Sequence, residues 1–223
     1  TWSGWVKRCT SGTQQILFEG IDTGTSGADY DIIELGSSDQ LKFKSVASSS
    51  ESANQTTNML FRDPSAWYHI VVAQDSTQAS AGNRLKIYVN GTQVTSLATD
   101  TQMPEDHVNH MNVANQHNLG ASVGAGGGSL AAYFDGYMAE VYFIDGTQYA
   151  ASDFGEFDED SPTIWKPKDA SALTFGNNGF YLDFEASGNL GNDANGGTDL
   201  TETNFAAADQ ATDTPTNNFC TLS

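Results

Sequence analysis

The sequence predicts an all-β protein: a sandwich of two antiparallel sheets with an irregular C-terminal extension. Three observations predict it. Short apolar–polar alternations recur at regular spacing with turn residues between them. The 22 glycines and the many Ser, Thr, Asn and Asp residues supply those turns. Few stretches combine Ala, Leu, Glu and Lys as helices do. At 223 residues the chain is long enough to bury a substantial core.

From the N-terminus, Trp5-Val6-Lys7-Arg8 and Ile16-Leu17-Phe18-Glu19 read as two strands around the turn Ser11-Gly12-Thr13. Tyr30-Asp31-Ile32-Ile33-Glu34-Leu35 alternates in part, and Leu41-Lys42-Phe43-Lys44 alternates cleanly. After the break at Asp63-Pro64, Trp67-Tyr68-His69-Ile70-Val71-Val72-Ala73 is apolar on both faces, which predicts a central strand between two covered layers. Arg84 to Asn90 is the clearest strand, with Leu85, Ile87 and Val89 on one side. Asn90-Gly91 turns it into a hairpin whose return begins at Gln93-Val94. Residues 99–129, ending in the glycine-rich run Gly124 to Gly128, read as a long loop region. Tyr133 to Ile144 is long, apolar on both faces and stopped by Asp145-Gly146. The expected inward set includes Val71, Leu85, Ile87, Val89, Ala139, Val141 and Phe143. Beyond residue 149 the chain is acidic and rich in Asn, Gly and Thr, with Gly179 to Phe184 as its one convincing strand.

Charge narrows the partners. The chain has 28 acidic and nine basic residues, a net charge of −19, and no Lys or Arg lies between Lys86 and Lys166. Such a surface repels phosphate backbones and anionic membranes, so nucleic acid is excluded as a partner of the bulk of the chain. No apolar run approaches the ~18 residues that span a bilayer, and no signal peptide is visible, so no membrane insertion is expected. The chain begins in mid-pattern at Thr1-Trp2-Ser3-Gly4-Trp5 and reads as a fragment or processed piece. Cys9 and Cys220 stand near opposite ends; spacing alone does not pair them, and two free thiols is the simpler reading.

Several groupings bear on chemistry. His107, His110 and His117 offer nitrogen ligands in a His-x-x-His pattern, but no Glu follows the first histidine and no Cys is near, so ordinary loop histidines are expected. His69 reads as a core or interface residue. Asp193, Asn195 and Asp199 place oxygen donors as calcium loops do, although Asn204 stands where an EF-hand needs Glu. They are the calcium candidates, beside the plainer reading of an Asn/Gly turn. The Gly124 to Gly128 run lacks the Lys and following Ser/Thr of a phosphate loop.

Four segments, in order, carry a resemblance: Trp2 to Lys7, Ala66 to Val72, Leu85 to Gly91 and Phe134 to Val141. Together they resemble the laminin G-like branch of the concanavalin A-like lectin/glucanase superfamily over about residues 1–148. The resemblance implies a jelly-roll of two antiparallel sheets, with residues 149–223 as an extension that packs on it and leads to a further domain. The segments Ser152 to Phe157, Trp165-Lys166-Pro167, Gly179 to Phe184 and Asp213 to Phe219 resemble the stretch located after such domains in large virion proteins of tailed, particularly marine, bacteriophages.

Glucanases of that superfamily carry Glu-x-Asp with a further Glu on a core strand. Glu156-Phe157-Asp158-Glu159-Asp160 is the nearest match, but it ends in Asp and lies after the closing strand, so a solvated acidic loop is expected and catalysis is not. The implied role is a virion surface module of a tail fibre, spike or head appendage, bearing a lectin-like domain for attachment to host-surface carbohydrate. A purely structural capsid decoration or fibre spacer is the alternative, and a glycoside hydrolase stands third. The implied partners are other virion proteins and further copies of the chain, as a trimer in a fibre. Self-association is feasible at seawater salt because the Debye length shrinks to about 4 Å.

Overall fold

Leu85, Ile87 and Val89 are buried while Lys86 and Tyr88 between them are partly exposed, so this strand has one apolar side to cover. A second sheet covers it. The computed structural model describes residues 1–24, 29–123 and 128–216. Fourteen strands are described: β1 (Trp2–Arg8), β2 (Gln15–Asp22), β3 (Asp29–Leu35), β4 (Gln40–Ala47), β5 (Ser50–Leu60), β6 (Tyr68–Gln74), β7 (Leu85–Val89), β8 (Thr92–Gln93), β9 (Leu97–Thr101), β10 (Gln116–Leu119), β11 (Gly136–Phe143), β12 (Gly155–Phe157), β13 (Trp165–Pro167) and β14 (Phe180–Leu182). Helix is confined, among the described residues, to 3-10 turns of three residues each.

The strands form two six-stranded antiparallel sheets and a small ribbon. Sheet I has the order β14-β11-β1-β6-β7-β8, and sheet II the order β10-β2-β3-β4-β5-β9. The inner faces meet in one core that includes Trp2, Val6, Ile70, Val72 and Val141 from sheet I and Phe18, Ile33, Leu35, Leu41 and Phe43 from sheet II. The expected class, a jelly-roll sandwich of two antiparallel sheets, is the observed one.

Several expectations need correction. Val71 is buried but faces outward, because Ile70 and Val72 already take the inner side of β6; its cover is the C-terminal extension. Ala139 is only half-buried. A bulge on β11, where Glu140 adopts φ 50°, shifts the register against β1, so that Ala139 pairs with the outward Trp5 and Met138 packs on the core instead. Residues 99–129 are not all loop: β9 and β10 close the two edges of sheet II. Both are short and polar and so lack an apolar period. The acidic run after Gly155 begins inside a strand, since β12 pairs with β13 through Glu156↔Lys166 and Phe157↔Trp165.

The extension lies on the outer face of sheet I. Ala151, Phe154, Ala170 and Phe175 bury Val71, Ala73, Tyr142 and Ile144 in a second apolar cluster. β14 adds the edge strand to β11, and Asp213 reaches Lys7 of β1 at 2.6 Å. Gly91, at φ 79°, lets the hairpin turn approach this layer: a Cβ there would stand 2.5 Å from the Trp165 ring.

Candidate functional site

The two outer faces differ in how far they are covered. On sheet I the extension excludes ligand from the central strands. His69 of β6 lies there, 1% exposed, stacked on Trp5 with ring centroids 4.9 Å apart. Its Nδ1 accepts the indole N–H of Trp165 at 3.0 Å, which leaves Nε2 protonated and donating to Ser3 Oγ at 2.9 Å. A Ser–His pair in that tautomer has no base facing the hydroxyl, so it is packing and not a nucleophile. Burial pushes the His69 pKa down to about 3, which keeps the ring neutral.

Sheet II is covered on only part of its outer face. Residues 120–123 fold over β2, held by Glu19, which is 1% exposed. Its carboxylate accepts Asn118 Nδ2 at 2.7 Å, the Val123 N–H at 3.1 Å and the Ser122 hydroxyl at 2.5 Å. The β3-β4-β5-β9 part carries outward side chains in three cross-strand rows. Register puts Tyr30 beside Val46 and Glu51, then Ile32 beside Lys44, Asn54 and Thr101, then Glu34 beside Lys42, Thr56 and Thr99. Lys42 Nζ sits 2.7 Å from Glu34 Oε1, and Gln14 donates to the other oxygen. Lys44 Nζ lies 5.7 Å over the Tyr30 ring and 3.9 Å from Glu51. Asn54 Nδ2 donates to Glu51 at 3.1 Å, and the Thr56 hydroxyl donates to Asn54 Oδ1 at 2.9 Å. Ile32, Glu34, Val46 and Thr56 are buried in these rows. Tyr30, Lys44, Glu51, Asn54 and Thr101 are the more exposed groups, an aromatic ring, an amide, a hydroxyl and paired charges of the kinds that sugar recognition uses.

The residues singled out by sequence are placed elsewhere. Glu156 and Asp158 share Lys166, at 3.6 and 3.2 Å, and the hydrogen bond from Lys166 holds the Asp158 carboxyl below the usual range. A cavity of about 290 Å³ beside them is lined by Asp158, Ile164, Lys166 and Thr216. His107 and His110 lie on the segment before β10 and His117 lies within β10, and each is engaged separately. His107 Nε2 pairs with Ser45 Oγ at 2.8 Å, His110 Nδ1 with Asn115 at 3.0 Å, and His117 Nε2 donates to the Met111 carbonyl at 3.0 Å. Beneath them Asp31 accepts the N–H of His110 at 2.5 Å and of Met111 at 3.2 Å, and burial pushes its carboxyl up.

Asp193 is 5% exposed, and its two oxygens accept the N–H groups of Tyr181, Asn195 and Gly197 at 2.9–3.0 Å. Asp199 accepts the Asp193 N–H at 3.0 Å and Asn189 Nδ2 at 2.8 Å, while Asn195 is exposed. The calcium candidates thus share one loop, with the Asp193 carboxylate turned inward on backbone donors and Asp199 exposed. Among the described residues no group of three or more His, Cys, Asp or Glu side chains is arranged to hold a metal ion. Cys9 is a free, exposed thiol; Cys220 and the residues Gly124 to Gly127 lie outside the described residues.

Sequence reasoning missed Tyr30, Lys44 and Asn54 as a surface. The alternation of Leu41 to Lys44 signalled that Lys42 and Lys44 share a face. It lacked β5, whose polar run Glu51 to Asn58 has no apolar period. Also missed was Glu140, which accepts both the Tyr142 hydroxyl at 2.9 Å and the Tyr181 hydroxyl at 2.6 Å, the two rings being stacked at 4.2 Å. These bonds join β14 to the bulge of β11.

The fold is a concanavalin A-like sandwich, and the family comparison agrees on that class. Residues 1–151 match the laminin G-type model of the concanavalin A-like lectin/glucanases superfamily, and the chain belongs to that superfamily. Among solved structures it is similar to a native heptameric SAP-like pentraxin from Limulus polyphemus, at 12% identity with a TM-score of 0.41. That alignment covers 63% of this chain and 60% of the pentraxin chain. A search of curated proteins gave no match.

Proposed function

We propose that this chain is a non-catalytic carbohydrate-binding module, carried on a virion surface in a tail fibre, spike or head appendage, where it attaches the particle to host glycans. The observation that carries the binding reading is the outer face of sheet II. It combines the partly exposed Tyr30 and Asn54 with the Lys44–Glu51 pair on paired strands, with Thr56 and Glu34, the partner of Lys42, buried, whereas the matching face of sheet I is sealed by the extension. The superfamily's lectin members support it. The non-catalytic reading is supported by Lys166, which sits between the only Glu-x-Asp pair that sequence put forward. The virion setting rests on the resemblance of the segments after residue 151 to phage virion proteins and on the −19 charge, which keeps particles apart at low salt.

The test is direct. The chain is screened against immobilised glycans, and Tyr30→Ala and Asn54→Ala are measured on whatever binds. Loss of about tenfold in affinity per substitution, roughly 1.4 kcal/mol, is the expected result. In the virion setting, particles lacking the region assemble but adsorb poorly to host cells. A structural spacer is the second reading, favoured by Met59 and Leu60, exposed at 46% and 41% at the end of β5. Particles that adsorb normally but fall apart would establish it instead.

A further inference from the structure

From the charge pattern of sheet II we infer that the ligand is a neutral polysaccharide and not a sulfated or uronic-acid polymer, laid across β3, β4, β5 and β9. The inference rests on the carbohydrate-binding reading above and narrows it to a chemical class. The chain as a whole carries −19, a field that opposes a polyanion at every approach. Capture of a polyanion would therefore require cations free to meet it. The cations on this face, Lys42 and Lys44, are held by the face's own carboxylates. Lys42 is 2.7 Å from Glu34, whose side chain is 5% exposed, and Lys44 is 3.9 Å from Glu51 while lying over Tyr30.

Each ammonium group is thus matched by a carboxylate, and the face is locally neutral on an otherwise anionic molecule. A sulfate or carboxylate arriving here would have to displace Glu34 or Glu51 from its lysine and leave that carboxylate beside the incoming charge. Sugar hydroxyls meet no such conflict. A hydroxyl donates to Glu51 or to Asn54 Oδ1 and accepts from Lys44 or Asn54 Nδ2, so adjacent groups of opposite hydrogen-bonding sense match the paired donors and acceptors. Three strand spacings make the face about 14 Å wide. That is room for a short run of sugar rings lying beside the Lys44–Tyr30 pair.

The test compares polymers that differ in charge. The intact chain is titrated with dextran, laminarin and agarose, and in parallel with dextran sulfate, carrageenan and alginate, at 50 mM and 500 mM NaCl. The expected result is binding to a neutral polymer that changes less than twofold between the two salts, with at least tenfold weaker binding to the charged ones. Asn54→Ala and Tyr30→Ala, with unchanged thermal melting, weaken the neutral polymer about tenfold. Lys42→Gln combined with Lys44→Gln confers no affinity for a charged one. Tighter binding of a sulfated or uronic polymer, lost at 500 mM NaCl and in the double lysine variant, would overturn the inference while leaving the carbohydrate-binding reading intact. Neutral binding unaffected by the face variants would overturn the site. Binding of neither class would overturn the carbohydrate reading itself, and the inference with it.

Discussion

The indole N–H of Trp165 donates to Nδ1 of His69, a residue 96 positions earlier in the chain, at 3.0 Å. This bond ties the extension to the middle of sheet I. Phe157 packs edge-on against the same indole at 4.9 Å, and Gly91 leaves room for its far side. An apolar sheet face needs a cover, and Trp165 fastens the cover at its polar point.

Trp165→Ala is therefore expected to destabilise the chain by about 3 kcal/mol, the range of large-to-small changes at packed sites. Trp165→Phe keeps most of the ring contact but orphans His69 Nδ1, and should cost about 1 kcal/mol. Urea unfolding measures both. Equal losses for the two variants would mean that the hydrogen bond alone carries the effect.

The buried His69 also gives stability a pH dependence. Its pKa is about 6.5 in the unfolded chain and about 3 in the folded one, because burial disfavours the imidazolium. The unfolded state therefore binds the proton first, and stability falls as pH drops from 6.5 towards 3, by up to roughly 4 kcal/mol. Asp31 works in the opposite sense near the carboxylate range, since its folded pKa is raised and lowering pH favours the fold. The comparison that isolates His69 is wild type against His69→Phe. The variant is less stable at pH 7, and the gap should shrink steadily down to pH 3.5. Parallel curves would show that the ring is not buried as a neutral group.

Much of the sandwich was legible because its central strands alternate. Leu85 to Val89 with Asn90-Gly91 announces a hairpin, and the doubly apolar Ile70 to Ala73 announces a strand covered on both sides. Ala139 was misplaced because a bulge follows from a left-handed backbone at Glu140, and glutamate carries no signal for positive φ. The candidate face was illegible for a related reason. It exists only where β5 pairs with β4, and the polar sequence of β5 is specified by its neighbours and not by a period of its own. The reverse error arose at Asp193: oxygen spacing suggested a cation, whereas the carboxylate turns onto three backbone N–H groups.

That arrangement makes Asp193 a loop anchor. Asp193→Ala leaves three N–H groups without their acceptor and should cost about 2 kcal/mol. Calcium would have to draw the carboxylate away from those donors, so millimolar CaCl2 should leave the melting temperature of the wild type unchanged. A calcium-dependent rise in melting temperature, abolished by Asp199→Asn, would establish the loop as a metal site.

Glycoside hydrolysis by paired carboxylates needs one group held neutral as an acid, with its pKa raised, and a second about 5–9.5 Å away. The Glu156–Asp158 pair meets the opposite condition. Lys166 stands between the two side chains and holds the Asp158 carboxyl below its ordinary range, so Asp158 has no proton to give at neutral pH. Both acids are solvent-accessible, and exposed ion pairs contribute about 0–1 kcal/mol each. Glu156→Gln and Asp158→Asn should therefore fold normally, bind glycan as the wild type does and shift stability by less than about 1 kcal/mol. The wild type should release no reducing ends from a β-glucan or agar-type polymer over a day of incubation. Turnover that either substitution abolishes would make this ribbon an active site and overturn the non-catalytic reading. Turnover that survives both would place a catalytic pair elsewhere on the sandwich, with Glu51 on the outer face of sheet II, its side chain 38% exposed, as the first residue to replace.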